Sequence, residues 1–235
     1  MALFAPEHGI RGTAAPGERV HDTVDVATGL PIYSLHGAGR ARPPSPAQLA
    51  LIDVLLVDLQ DVGTRPFTYS LTMVLAMRAA RAAGRRIVVL DRPNPIGCAM
   101  SGPVLDTAYA SFIGMLPVPL RHGMTIGELA RFANGELGIG ADLVVVPLHG
   151  WRRCMWFDET GLPWVRPSPN LPDLESAAWY PGTVLFEGEG LTVGTNLSVG
   201  RGSDAPFRQV GAPWLYSARI AAEMRVGANG LGFMI

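Results

Sequence analysis

Between Asp53 and Leu90 the chain reads as strand, helix, strand, and no other stretch restricts the fold as much. Asp53 to Leu59 is an unbroken apolar run of strand length, the pattern of a parallel strand covered on both faces. Thr68 to Ala83 has helical spacing, with Leu71, Val74, Leu75 and Ala79 on one side. Arg78, Arg81, Arg85 and Arg86 crowd its carboxyl end, where cations suit the helix dipole, and Gly84 stops it. Arg86 to Leu90 is the next apolar strand. Two parallel strands joined by a helix form a βαβ unit, so the chain is committed to an α/β fold.

The pattern extends both ways. Residues 2–5 and Pro31 to Leu35 read as short strands, and Ser45 to Leu51 as a helical turn. Thr125 to Leu137 is a second helix, opened by a Thr-x-x-Glu capping box that assigns Glu128 to the cap rather than to chemistry. Asp142 to Pro147 is one more buried strand. The expected architecture is a Rossmann-like, doubly wound parallel sheet in residues 1–150. From Trp151 on the texture changes: residues 151–215 hold all five tryptophans and many prolines and glycines. Residues 151–235 read as a second, loop-rich and incomplete α/β domain.

Composition narrows the function. Hydrophobic residues make up 48% of the 235, enough for a sizeable core. A net charge of -1 without a basic block argues against nucleic acid as a partner. All 19 basic residues are Arg, which removes every mechanism built on a Lys nucleophile, base or phosphate ligand. No apolar run reaches the length of a membrane span. The amino terminus has no basic segment or cleavage site, so no signal peptide is expected in this chain, and both ends read as truncated. Cys98 and Cys154 are too few and too far apart to indicate a zinc site or a disulfide framework; one bridge is allowed but not indicated. Oligomeric state is not encoded in any pattern.

In an open parallel sheet, ligands bind beyond the carboxyl ends of the strands. Those ends read Glu7-His8-Gly9-Ile10-Arg11, then Gln60-Asp61-Val62-Gly63-Thr64-Arg65, then Asp91-Arg92-Pro93-Asn94. Each carries a carboxylate and an Arg. Gly37-Ala38-Gly39 lacks a following helix start, and no dinucleotide, Walker or nucleophile-elbow motif exists, so no cofactor is expected. Asp58, Asp61, His8 and His122 lack metal-ligand spacing, so no metal is assigned. A cleft rich in carboxylates, Arg and Asn suits carbohydrate chemistry, where a carboxylic acid protonates a leaving oxygen. Later segments add Asn170 in a proline-rigid turn, and Asn196 with Arg201 among glycines able to face an anion.

Together these stretches resemble one bacterial family, the exo-β-N-acetylmuramidases formerly grouped as DUF1343. The shared residues are Phe4 to Gly12, Asp58 to Arg65, Tyr69, Leu90 to Pro95, Pro119 to Leu129, Gly150 to Arg153, Pro167 to Asn170 and Thr195 to Gly202. The resemblance implies release of terminal N-acetylmuramic acid from the non-reducing end of peptidoglycan fragments. It implies Glu7 as catalytic acid, with Asp61 or Asp58 as the second carboxylate. It implies Arg65, Arg92 or Arg201 on the lactyl carboxylate, and His8, Arg11, Gln60, Tyr69, Asn94, His122, Asn170 and Asn196 along the subsite. It also implies an exported, extracytoplasmic parent. Extra sequence from Glu189 to Gly194 leaves open whether Glu187 or Glu189 takes the family glutamate position. A non-catalytic cell-wall sugar-binding module and a metal-dependent hydrolase remain as alternatives.

Overall fold

The computed structural model describes residues 1–37, 40–187 and 195–216, together with 218, 220 and 222. The Gly-x-Gly at residues 38–39, the segment at Glu189 and most of the carboxyl end lie outside the described residues. In chain order the strands and helices are β1 (Leu3–Ala5), β2 (Thr23–Val24), β3 (Pro31–Ser34), β4 (His36–Gly37), β5 (Arg40–Ala41), α1 (Pro46–Leu49), β6 (Val54–Val57) and α2 (Tyr69–Ala82). There follow β7 (Arg86–Leu90), β8 (Ser101–Val104), β9 (Pro119–Arg121), α3 (Ile126–Glu136), β10 (Leu143–Val146) and α4 (Leu174–Thr183).

The α/β fold stands. Its parallel strands are shared between two sheets. One has the order β10-β7-β6 and is parallel throughout; the other, β1-β3-β2, pairs β1 with β3 in parallel and β2 with β3 antiparallel. Phe4 of β1 still packs against the main core, so the two sheets share one interior.

That core lies between the β10-β7-β6 sheet and the helices. Leu55 and Val57 of β6, Ile87 and Val89 of β7, Met73, Val74 and Met77 of α2, and Leu129, Ala130 and Ala133 of α3 form it. Each large apolar side chain removed from water there contributes about 1.5–3 kcal/mol. Thr125 opens α3 with both hydrogen bonds of its capping box, so Glu128 is the cap that the sequence indicates.

The sheet is covered differently from the sequence expectation. Val54, Leu56, Val144 and Val146 are 46%, 57%, 41% and 44% exposed, so among the described residues one face is bare. Topology explains this. The strands run β6, β7, β10 in sequence order, and right-handed crossovers that step in one direction put both helices on the same face.

The cysteines also differ from expectation. Cys98 and Cys154 form a disulfide with Cα atoms 4.4 Å apart. Their separation of 56 residues in sequence hides a short distance in space. Cys98 lies beyond the end of β7 and Cys154 beyond the end of β10, and these strands are neighbours in the sheet.

A second apolar cluster joins the strand-end loops to the later segments. Val62, Phe67, Tyr69 and Leu120 pack there with Leu171, Ala177, Tyr180, Val184, Val199 and Phe207. Among the described residues no helix is long and apolar enough to cross a membrane.

Candidate active site

Glu7 leaves β1 on a tight turn. Gly9 N–H donates to Pro6 O at 3.0 Å, and His8 and Gly9 both adopt left-handed backbone, with φ of 69° and 74°. A non-glycine residue in that region is strained, and such strain concentrates at functional sites. The turn holds because His8 Nδ1 donates to Ala14 O at 2.8 Å while Thr13 N–H donates to His8 O at 2.9 Å. The carbonyl can only accept, so Nδ1 carries the proton and His8 Nε2 remains an acceptor. Burial pushes the His8 pKa below its ordinary value; the Ala14 and Glu7 contacts oppose that in part, and Arg201 reinforces it.

The Glu7 carboxylate is gripped from three directions. Thr68 Oγ1 donates to Oε2 at 2.7 Å, Gly17 N–H donates to Oε1 at 3.1 Å, and His36 Nε2 lies 3.9 Å from Oε1. Burial on its own would raise the Glu7 pKa. The Thr68 bond, the His8 imidazole, the Gly17 N–H and His36 outweigh it and hold the carboxyl below its ordinary value. Glu7 is therefore ionised in the free protein at neutral pH. Its backbone is pinned as well: the Tyr69 hydroxyl lies 2.7 Å from Pro167 O and 3.2 Å from Glu7 O, donating across the junction of three segments.

The three polar strand ends do meet. Gln60 Nε2 donates to Asp61 O at 2.7 Å and to Pro93 O at 3.0 Å, tying the β6 loop to the β7 loop. Asn94 donates to Met124 O and accepts from Ile96 N–H, and it is buried. Gly63 is obligatory beside it: φ is 78°, and a Cβ there would stand 2.4 Å from Asn94 Oδ1. Gln60, Tyr69 and Asn94 thus spend their polar bonds on the scaffold of the site.

Asp61 is almost fully buried and accepts from Gly63 N–H at 2.7 Å through Oδ2. His122 Nε2 lies 3.2 Å from the same oxygen, off the line of a hydrogen bond. Met124 N–H donates to His122 Nδ1 at 3.2 Å, so Nε2 carries the proton and faces the carboxylate. Asp61 Oδ1 and both ring nitrogens of His36 are buried without partners among the described residues. A buried polar atom without a partner marks a place where water or a ligand belongs.

Several candidates are occupied elsewhere. Asp58 and Arg92 pair with each other at 2.6 Å on the half-exposed rim. Arg65 donates to Pro103 O and Val118 O, and Arg11 pairs with Asp25 at 2.7 Å. Arg201 pairs with the buried Glu187 and lies over the Phe207 ring at 5.3 Å. Asn170 Oδ1 accepts from Gly202 N–H at 3.2 Å, joining two late loops, while Asn196 is exposed.

Three residues at the site escaped the sequence reading. Thr68 resembles a helix cap, yet it makes no cap bond because its hydroxyl serves Glu7. His36 follows β3, and the strand-end rule applied to β3 would have found it. Tyr180, on α4, is buried to the point that its pKa is pushed up to about 12, and the fields of Arg201, Glu7 and Asp61 all reach it. Of the two candidates for the family glutamate position, Glu187 is buried and pairs with Arg201, and Glu189 lies outside the described residues. Among the described residues no three His, Cys, Asp or Glu side chains are grouped to hold a metal ion.

Comparison with known proteins places the chain among its relatives. Residues 1–175 match the family model described as exo-β-N-acetylmuramidase NamZ, N-terminal, and residues 178–233 match its C-terminal counterpart. The peptidoglycan β-N-acetylmuramidase NamZ of Bacillus subtilis strain 168 is 50% identical over 220 residues, which are 93% of this chain and 51% of that protein. A crystal structure of a DUF1343 family protein from Bacteroides fragilis NCTC 9343 superposes with a TM-score of 0.83 at 40% identity, over 97% of this chain and 57% of that one. A second such protein from the same organism gives a TM-score of 0.74 at 40% identity, over 90% and 54%. The chain thus spans about half the length of the relatives it matches. On the strength of both matched family models, the chain belongs to the NamZ exo-β-N-acetylmuramidase family.

Proposed function

We propose that the protein carrying this chain is an exo-acting β-N-acetylmuramidase, which releases terminal N-acetylmuramic acid from the non-reducing end of peptidoglycan fragments. The observation that carries the reading is the Glu7 carboxylate, fixed by Thr68 and Gly17 in the same buried polar cluster as His36, Asp61 and Tyr180. The family relationship supplies the substrate class.

Glycoside hydrolysis uses two carboxyl groups around an oxocarbenium-like transition state. Glu7 is one and Asp61 the other. Asp61 is favoured over Asp58 because it is buried with a free oxygen, whereas Asp58 is neutralised by Arg92 at the rim. Glu7 is ionised in the free protein, so acting as the acid requires it to take up a proton as the bound sugar displaces water and weakens the Thr68 and Gly17 contacts. His8 and His122 present one acceptor and one donor to the cluster, suited to sugar hydroxyl and amide groups.

The Cys98–Cys154 disulfide supports an extracytoplasmic location, since such bridges persist in oxidising compartments. A chromogenic N-acetylmuramic acid glycoside tests the activity in the intact protein. Glu7→Gln is expected to abolish turnover while the glycoside still binds. Equal turnover by both proteins would remove Glu7 from the mechanism, and binding without turnover by the wild type would identify a sugar-binding module.

A further inference from the structure

A basic pocket is built on the segments that carry Gly17 and His36, the two residues that approach Glu7 Oε1. It has a volume of about 470 Å³ and is lined by Arg19, Val20, His21, Asp22, Gly37 and Arg42. That size fits a sugar substituent or a short peptide. Both segments that build it start from the Glu7 carboxylate. Gly17, which donates to Glu7 Oε1, lies just before Arg19 in sequence; His36, 3.9 Å from the same oxygen, immediately precedes Gly37.

The pocket keeps positive charge to spare. Arg42 Nε donates to Ser34 O at 2.9 Å, and its other end lies 3.6 Å from Asp22. Asp22 also accepts from Ser34 N–H at 2.8 Å, so Asp22 and Arg42 largely offset each other and hold the wall in place. Arg19 is exposed and makes no ion pair or side-chain hydrogen bond among the described residues. His21 beside it is exposed too.

The arginines nominated from the sequence do not offer this. Arg65 is committed to two carbonyls, Arg92 to Asp58, Arg11 to Asp25 and Arg201 to Glu187. We propose that the Arg19–Arg42 pocket binds the carboxylate carried by the sugar on which Glu7 acts. The proposal rests on the glycosidase reading. In N-acetylmuramic acid that anion is the lactyl carboxylate; in a peptide-bearing sugar it is a carboxylate of the peptide.

The test is Arg19→Gln in the intact protein, a change at a side chain without described contacts, so the fold is expected to survive and the melting temperature to match the wild type. Calorimetry compares N-acetylmuramic acid, muramyl dipeptide and N-acetylglucosamine, the last lacking the anion. The expected result is about tenfold weaker binding of at least one anionic ligand, with N-acetylglucosamine unaffected, the size of one charge-assisted hydrogen bond. Loss confined to N-acetylmuramic acid identifies the lactyl group; loss confined to the dipeptide identifies the peptide. Unchanged affinity for both anionic ligands, or no binding of either by the wild type, overturns the pocket. Turnover of the chromogenic glycoside is scored separately. Hydrolysis with unchanged anion binding sinks the pocket and keeps the glycosidase; anion binding lost in Arg19→Gln without wild-type hydrolysis keeps the pocket and sinks the glycosidase.

Discussion

Thr68 Oγ1 donates to Glu7 Oε2 at 2.7 Å across 61 residues of sequence. The bond takes the first residue before α2 away from capping that helix and gives it to a carboxylate at the end of another strand. Thr68→Val should therefore act on Glu7 more than on α2. Without the bond the Glu7 pKa rises toward its ordinary value, and the alkaline limb of the pH–activity profile, where the acid loses its proton, moves to higher pH. Wild-type Glu7 titrates below its ordinary value, so its contribution to stability is complete above that value and fades as pH falls through the lowered one. The variant should lose about 1 kcal/mol at neutral pH, and the gap should close in acid. Urea unfolding at both pH values measures it.

Tyr69→Phe should leave the core filled and unfasten the Glu7 backbone. The lost hydroxyl serves Pro167 O and Glu7 O, so one of these carbonyls has to find water or stay unpaired. A cost of about 1–2 kcal/mol is expected in denaturant unfolding. Turnover should fall more than affinity, because the displaced group is the carboxylate proposed as the acid and not a sugar contact; a raised KM with intact kcat would contradict this.

Arg201→Leu strands Glu187, which is buried. Removing one partner of a buried pair costs about 3–5 kcal/mol, whereas replacing both is often close to neutral. The double variant Glu187→Leu with Arg201→Leu should recover most of the loss, and thermal melts of the four proteins of that cycle decide it.

Replacing Cys98 and Cys154 together by Ser should cost about 2–4 kcal/mol, since the bridge restricts a long loop in the unfolded chain. Wild type under reducing conditions should behave like the variant. Equal melting temperatures for oxidised and reduced wild type would show the bridge to be stabilising nothing.

Local pattern was legible, and so was its consequence for position. The apolar runs at β6, β7 and β10 and the Thr125–Glu128 box announce themselves in the sequence. From them follows the meeting of the strand-end loops that Gln60 and Tyr69 then stitch together. What stayed hidden depends on side chains choosing among several available partners. Nothing in the sequence says that Thr68 serves Glu7 rather than its own helix, or that Arg65 spends itself on carbonyls. Tyr180 belongs to a stretch without periodicity, and only the packing of α4 against the strand-end loops gives it a place. The bare sheet face was hidden for another reason: an apolar run states that a strand can be covered twice, not that both covers are present.

The disulfide has one further consequence. It closes a covalent ring that contains β8, β9, α3 and β10, the elements between Cys98 and Cys154. A protease that cuts anywhere inside the ring leaves the two halves of the chain still joined. Nicked protein would run as a single species until a reductant is added. In a compartment rich in proteases, the loops around Ala110 and Gly150 could be clipped without releasing the half that holds Glu7 from the half that holds Tyr180.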